Sequence, residues 1–181
     1  MDLQPVAAGF DATRLDRIAA HLDSRYVQPG KIAGCQVAVG RRGHLAYSAS
    51  LGQRDRERGV AMGDDTIFRI YSMTKPITSI ALMQLFEQGL FQLDDAVARF
   101  FPSWRDHRVW VSGLGSEMVT EPAHRPVSFR DLLTHTSGYA PDFDLKEKWT
   151  GRDGMLAALK KEKLRAAPGT KFVYSDIGFI V

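Results

Sequence analysis

Pro76 is followed by a mostly apolar run over residues 77–90. Proline is excluded from helix interiors but fits their first turn, so the run predicts a helix opened by Ser72-Met73-Thr74-Lys75. Its apolar positions, Ile77, Ile80, Ala81, Leu82, Met83, Leu85 and Phe86, cover more than one face, which predicts a helix buried between layers. Ser72 and Lys75 are three residues apart and share a helix face. A serine becomes a nucleophile when a base takes its proton, and a lysine serves as that base only when its pKa falls. At a helix start, the unpaired N–H groups and the positive helix end oppose an ammonium, and the apolar helix limits its solvation. One turn thus offers a nucleophile, a base and an oxyanion-binding backbone. A serine here is also an ordinary N-cap. With eleven serines and eight lysines in the chain, one Ser-x-x-Lys pair is not diagnostic alone.

The length of 181 residues predicts one domain with a real core, and 44% hydrophobic and 25% charged residues are those of an ordinary soluble protein. The net charge is +3, with scattered basic residues. Arg54-Asp55-Arg56-Glu57-Arg58 alternates in sign and reads as a solvated loop, so no nucleic-acid partner is expected. The single cysteine, Cys35, lies in a strand-like run, where it reads as a small core residue with no disulfide partner in the chain. Residues 1–9 lack a signal-peptide pattern and no eighteen apolar residues run together, so a cytoplasmic location without membrane contact is expected. Five histidines show no paired metal spacing, and Gly113-Leu114-Gly115 lacks the third glycine of a dinucleotide fingerprint. Neither metal nor cofactor is expected.

Along the chain, Asp11 predicts the cap of a helix with Leu15, Ile18, Ala19 and Leu22 on one face. Alternation at Cys35, Val37 and Val39, then at Leu45, Tyr47, Ala49 and Leu51, predicts a hairpin over residues 34–51 turning at Gly40-Arg41-Arg42-Gly43. Residues 67–70 are a short third strand candidate. Asp94 or Asp95 can open a brief helix through residues 97–101, stopped by Pro102. Residues 103–127 show little periodicity and read as a long loop, a cleft wall or an insertion. Ser128 with Asp131 resembles a capping box opening residues 129–135, with Gly138 as the stop. Asp153 predicts a helix over residues 153–165. His135-Thr136-Ser137-Gly138 lacks the spacing of a nucleophile elbow and reads as turn chemistry. The apolar end, residues 177–181, leaves no room to complete a helix, and all three strand candidates lie in the first seventy residues. A longer parent protein is the expectation, with association through the uncovered sheet edge.

Four segments then occur in order: Tyr71-Ser72-Met73-Thr74-Lys75-Pro76; Gly89-Leu90 with Leu93-Asp94-Asp95; Leu132-Leu133-Thr134-His135-Thr136-Ser137-Gly138; and Pro168-Gly169 with Tyr174-Ser175-Asp176. Together they resemble the serine hydrolases of the β-lactamase/penicillin-binding-protein superfamily, closest to the class C β-lactamase-like (family VIII) carboxylesterases. The resemblance implies an α+β, β-lactamase/transpeptidase-like fold, with an antiparallel sheet flanked by helices and an all-helical domain. Residues 1–70 would be the first part of the α/β domain and residues 71–181 the helical domain. The last strands, C-terminal helix, third motif and second oxyanion donor would be missing.

By the same resemblance Ser72 would be the acyl-accepting nucleophile, Lys75 its general base, and Tyr174 the proton shuttle. The backbone N–H of Ser72 would be one oxyanion donor. Asp176 would be a substrate-binding residue, but it stands where the family has asparagine, which puts in doubt a contact to a β-lactam side-chain amide. The implied function is a serine carboxylesterase taking a small-molecule ester or amide. The alternatives are a β-lactamase or D-amino-acid peptidase, and an inactive fragment or pseudoenzyme.

Overall fold

Asp11 starts the first helix. Its carboxylate accepts hydrogen bonds from the N–H groups of Thr13 (2.9 Å) and Arg14 (3.4 Å), opening α1, Ala12–Leu22. Leu15, Ile18 and Ala19 of this helix meet Val37, Val39, Ala46, Tyr47 and Ala49. Those residues belong to a hairpin in which β1, Gly34–Arg41, pairs antiparallel with β2, His44–Asp55. The turn is tighter than the sequence suggested: only Arg42 and Gly43 lie outside the strands, both at positive φ. The third strand is not residues 67–70, which form no strand, with Ile67 fully exposed. It is β3, Val60–Ala61, paired with Gln53 and Asp55 of β2. Asp55 accepts the N–H of Arg58 at 3.0 Å, and Gly59 takes φ +65°, so the chain folds straight back onto β2.

This computed structural model describes residues 2–143 and 149–180. The chain divides into two compact units, Met1–Arg69 and Ile70–Val181. Among the described residues no helix is long and apolar enough to cross a membrane.

The second unit is built on a core of Val97, Trp104, Val109, Val127, Leu132, Tyr139, Leu159, Leu164 and Ile177. It is not all helical. Within the segment read as a loop, β4, Arg108–Ser112, pairs antiparallel with β5, Val119–Pro122, across a turn with Gly113 and Gly115 at positive φ. Leu164 adds to this hairpin: its N–H donates to the Arg108 carbonyl (3.0 Å) and its carbonyl accepts the Trp110 N–H (2.7 Å). The brief helix after Asp95 is a 3₁₀ turn, Val97–Arg99. The later helix, α4, runs Gly151–Lys161, starting before Asp153. Residues 177–180 do close a helical turn, α5, Ile177–Ile180, and Ile177 is fully buried.

The helix after Pro76 is α2, Thr74–Glu87, and it differs most from expectation. None of its residues is buried, and Ile77 and Ile80 are 60% and 63% exposed. Apolar periodicity measures a helix's affinity for cover. Here the core of the unit is filled by other elements, and α2 contributes none of the residues in it.

Helix α3, Phe129–Leu133, opens with the capping box the sequence predicts. Asp131, only 3% exposed, accepts from the Ser128 N–H (2.9 Å), the Ser128 hydroxyl (2.7 Å) and both ends of the Arg125 guanidinium (2.6 and 2.8 Å). Burial opposes the carboxylate, but bonds from Arg125 and Ser128 hold its pKa below the usual range. Asp131 thus stabilises the fold above the ordinary carboxylate pKa, and that contribution is lost as pH falls through its own lower pKa. Asp131→Ala should lower stability by about 2–4 kcal/mol at pH 7 in urea unfolding, because it strips the cap and leaves Arg125 without its partner. The deficit should shrink in acid.

Candidate active site

The chain reaches Ser72 through a constrained bend. Tyr71 takes φ +48°, and residues Tyr71–Met73 form a 3₁₀ turn held by the Met73 N–H on the Ile70 carbonyl (3.1 Å). Ser72 therefore precedes α2 rather than lying in its first turn, and Pro76 is the third residue of that helix. The short turn still brings Lys75 Nζ to 3.2 Å from Ser72 Oγ.

Two further groups arrive from the far end of the unit. Lys75 also donates to the Asp176 carboxylate, and its Nζ lies 4.7 Å from the centre of the Tyr174 ring. The Tyr174 phenol comes close enough to Ser72 and Lys75 for both to act on its pKa. Ser72, Lys75, Tyr174 and Asp176, the four positions singled out in the sequence, thus meet at one place.

The electrostatics differ from expectation. Burial pushes the Lys75 pKa down, as anticipated, but the hydrogen bonds to Asp176 and Tyr174 outweigh it and raise the net value. Lys75 is an ammonium at neutral pH. The Tyr174 phenol moves the other way: hydrogen bonds from Ser72 and then Lys75, with the nearby ammonium, lower its pKa. Asp176, read as a substrate contact, instead has its carboxylate on Lys75 and its N–H on the Pro141 carbonyl (2.8 Å).

His135 also belongs to the site, although its motif reads as turn chemistry in the sequence. Its ring lies over the Tyr174 ring, with centres 4.5 Å apart and planes at 31°, and Phe172 and Phe179 flank it. Its pKa is lowered by burial and then by the Lys75 charge, opposed by Asp176. The available signal was its place just after α3, where a residue in the left-handed region is common; its φ is +58°. Gly138, at φ +88°, is required for a second reason: a Cβ there would strike the Ala166 carbonyl. Among the described residues, no group of three or more His, Cys, Asp or Glu side chains is placed to hold a metal.

The beta-lactamase family profile matches residues 19–181. Protein Rv1367c of Mycobacterium tuberculosis (strain ATCC 25618 / H37Rv) is 36% identical over 156 residues, which cover 81% of this chain and 39% of that protein. Esterase EstB of Burkholderia gladioli is 32% identical over 198 residues, covering 96% of this chain and 45% of the esterase. Among solved structures, EstCE1, a hydrolase with promiscuous acyltransferase activity, matches with TM-score 0.72 at 26% identity, over 91% of this chain and 44% of its own. A class C beta-lactamase in complex with cefoxitin matches with TM-score 0.72 at 25% identity, over 93% of this chain and 43% of its own. The chain spans less than half the length of each of these proteins. Its antiparallel sheets and helices are those of the α+β β-lactamase/transpeptidase-like fold. With the family profile matched over nearly all of its length, the chain belongs to the beta-lactamase family of hydrolases.

Proposed function

We propose that the protein carrying this chain is a serine carboxylesterase working through an acyl-enzyme on Ser72. The supporting observation is the contact of Ser72 Oγ with Lys75 Nζ at 3.2 Å, beside a Tyr174 phenol whose pKa both residues lower. With Lys75 held as an ammonium by Asp176, the base is Tyr174 in its phenolate form. Tyr174 takes the Ser72 proton while Oγ forms a bond to the ester carbonyl carbon. The oxyanion that develops is met by the Ser72 backbone N–H. Tyr174 then returns the proton to the departing alkoxide as the ester C–O bond breaks. Water attacks the acyl-enzyme by the same relay in reverse. Lys75 stabilises the phenolate throughout and does not itself carry the proton.

An ester substrate is favoured over a β-lactam by the likeness to Esterase EstB and by Asp176 at an asparagine position, where it offers a carboxylate in place of an amide donor. With p-nitrophenyl butyrate, the protein should release nitrophenol, and acid quenching should trap a butyryl adduct on the peptide containing Ser72, read by mass spectrometry. Ser72→Ala should carry no adduct. Faster turnover of a chromogenic cephalosporin would replace the esterase reading with β-lactam hydrolysis. No adduct from either compound would favour an inactive member of the family.

A further inference from the structure

Tyr174 is 46% exposed, so packing around its own ring does not fix the position of its hydroxyl. The backbone N–H groups directly before and after it are both held by one residue. The Val173 N–H donates to the His135 carbonyl at 2.9 Å, and the Ser175 N–H donates to His135 Nδ1 at 3.1 Å. Two residues apart, such N–H groups in a strand would meet carbonyls of a neighbouring strand. His135 turns its backbone into the left-handed region, so the next carbonyl is not presented, and the imidazole nitrogen takes its place. The ring that accepts this bond is also the surface on which the Tyr174 ring rests.

We infer that His135 is a positioning residue for Tyr174, and that it works only as the neutral tautomer with its proton on Nε2. An Nδ1 carrying a proton would face the Ser175 N–H donor to donor, so that backbone bond would be lost and Ser175 would be held only by its hydroxyl on the Ala140 carbonyl (2.6 Å). The charged and titratable groups around the imidazole are Lys75 from α2 and Tyr174 and Asp176 from the facing segment; Phe172 and Phe179 complete its surroundings. Burial first and then the Lys75 ammonium disfavour a cation here, and Asp176 and the backbone bond at Ser175 only partly offset them, so protonation falls below the ordinary histidine range. Acylation of Ser72 should accordingly fail in mild acid through His135, separately from any loss due to reprotonation of the Tyr174 phenolate.

This rests on Tyr174 serving Ser72, so the test has one arm that needs no turnover. In ¹⁵N NMR of the chain, His135 Nδ1 should be unprotonated at pH 7.5, and the Ser175 amide proton should shift with the same midpoint as the His135 ring. A Ser175 amide that ignores the His135 titration would overturn the inference, whatever the activity. In the second arm a fluorophosphonate probe reports Ser72 acylation across pH. His135→Ala should cut labelling about 100-fold. His135→Asn tolerates the same backbone and offers an acceptor that does not titrate, so it should keep most of the labelling and lose the His135 step in acid. An acid step unchanged in His135→Asn would refute the inference, as would wild-type labelling in His135→Ala. Wild-type protein labelling no better than Ser72→Ala would instead remove the acyl-enzyme reading and leave the NMR arm standing.

Discussion

Tyr174→Phe should reduce the rate of Ser72 acylation by about 10²–10⁴-fold while leaving the fold and substrate binding nearly unchanged. Phenylalanine keeps the ring that rests on His135 and lies near the Lys75 ammonium, and removes only the hydroxyl. The loss is therefore that of a proton acceptor. Single-turnover acylation with p-nitrophenyl butyrate checks it. The wild-type rate should rise with pH up to a phenol pKa below the ordinary tyrosine value, and this rise should be absent from the phenylalanine variant. Acylation within threefold of wild type would move the base to another group.

Lys75→Met should be comparably damaging, on the order of 10³-fold at neutral pH, with a displaced pH profile. Methionine preserves length and fills the same space, but the phenol loses a hydrogen bond and a neighbouring cation that both favour its ionised form. It is also left beside the unpaired Asp176 carboxylate, which disfavours a second anion. All three changes raise the Tyr174 pKa, so the rate should climb only at higher pH than in the wild type. Lys75→Met combined with Asp176→Asn removes the opposing anion and should recover part of the loss, a coupling expected of groups in direct contact. A single variant whose profile keeps the wild-type midpoint would show that Lys75 does not set the phenol's charge.

Ser72 and Lys75 were legible in the sequence as a Ser-x-x-Lys turn before a proline, whereas Tyr174 and Asp176 were picked out only by the resemblance of the Tyr-Ser-Asp segment to the family's pattern. The charge on Lys75 was not legible. Local context, a helix start and an apolar helix, argued for a lowered pKa, and the carboxylate that reverses it sits 101 residues away. His135 was read only as turn chemistry for a similar reason, since its acceptor nitrogen meets a backbone N–H 40 residues further on. In the fold, the capping box of Ser128 and Asp131 could be read directly because all its bonds are local. The β4–β5 hairpin could not, as its strands are too short for alternation to stand out. The exposure of α2 was equally hidden, because an apolar pattern says how much a helix would gain from cover and not what covers it.

Tyr71 and His135 are two of the three described non-glycine residues with positive φ, and both adjoin the site, one directly before Ser72 and the other beneath Tyr174. Conformations of this kind cost on the order of 1–3 kcal/mol each. Ruggedness and turnover are therefore in tension at these two positions. Replacements that let the backbone relax there would be favoured in a search for heat-resistant variants, and the same replacements would loosen the aim of the serine and of the phenol. A programme to toughen this protein would do better to begin at Arg42, the third such residue, which lies in the β1–β2 turn and has no part in the chemistry proposed for Ser72.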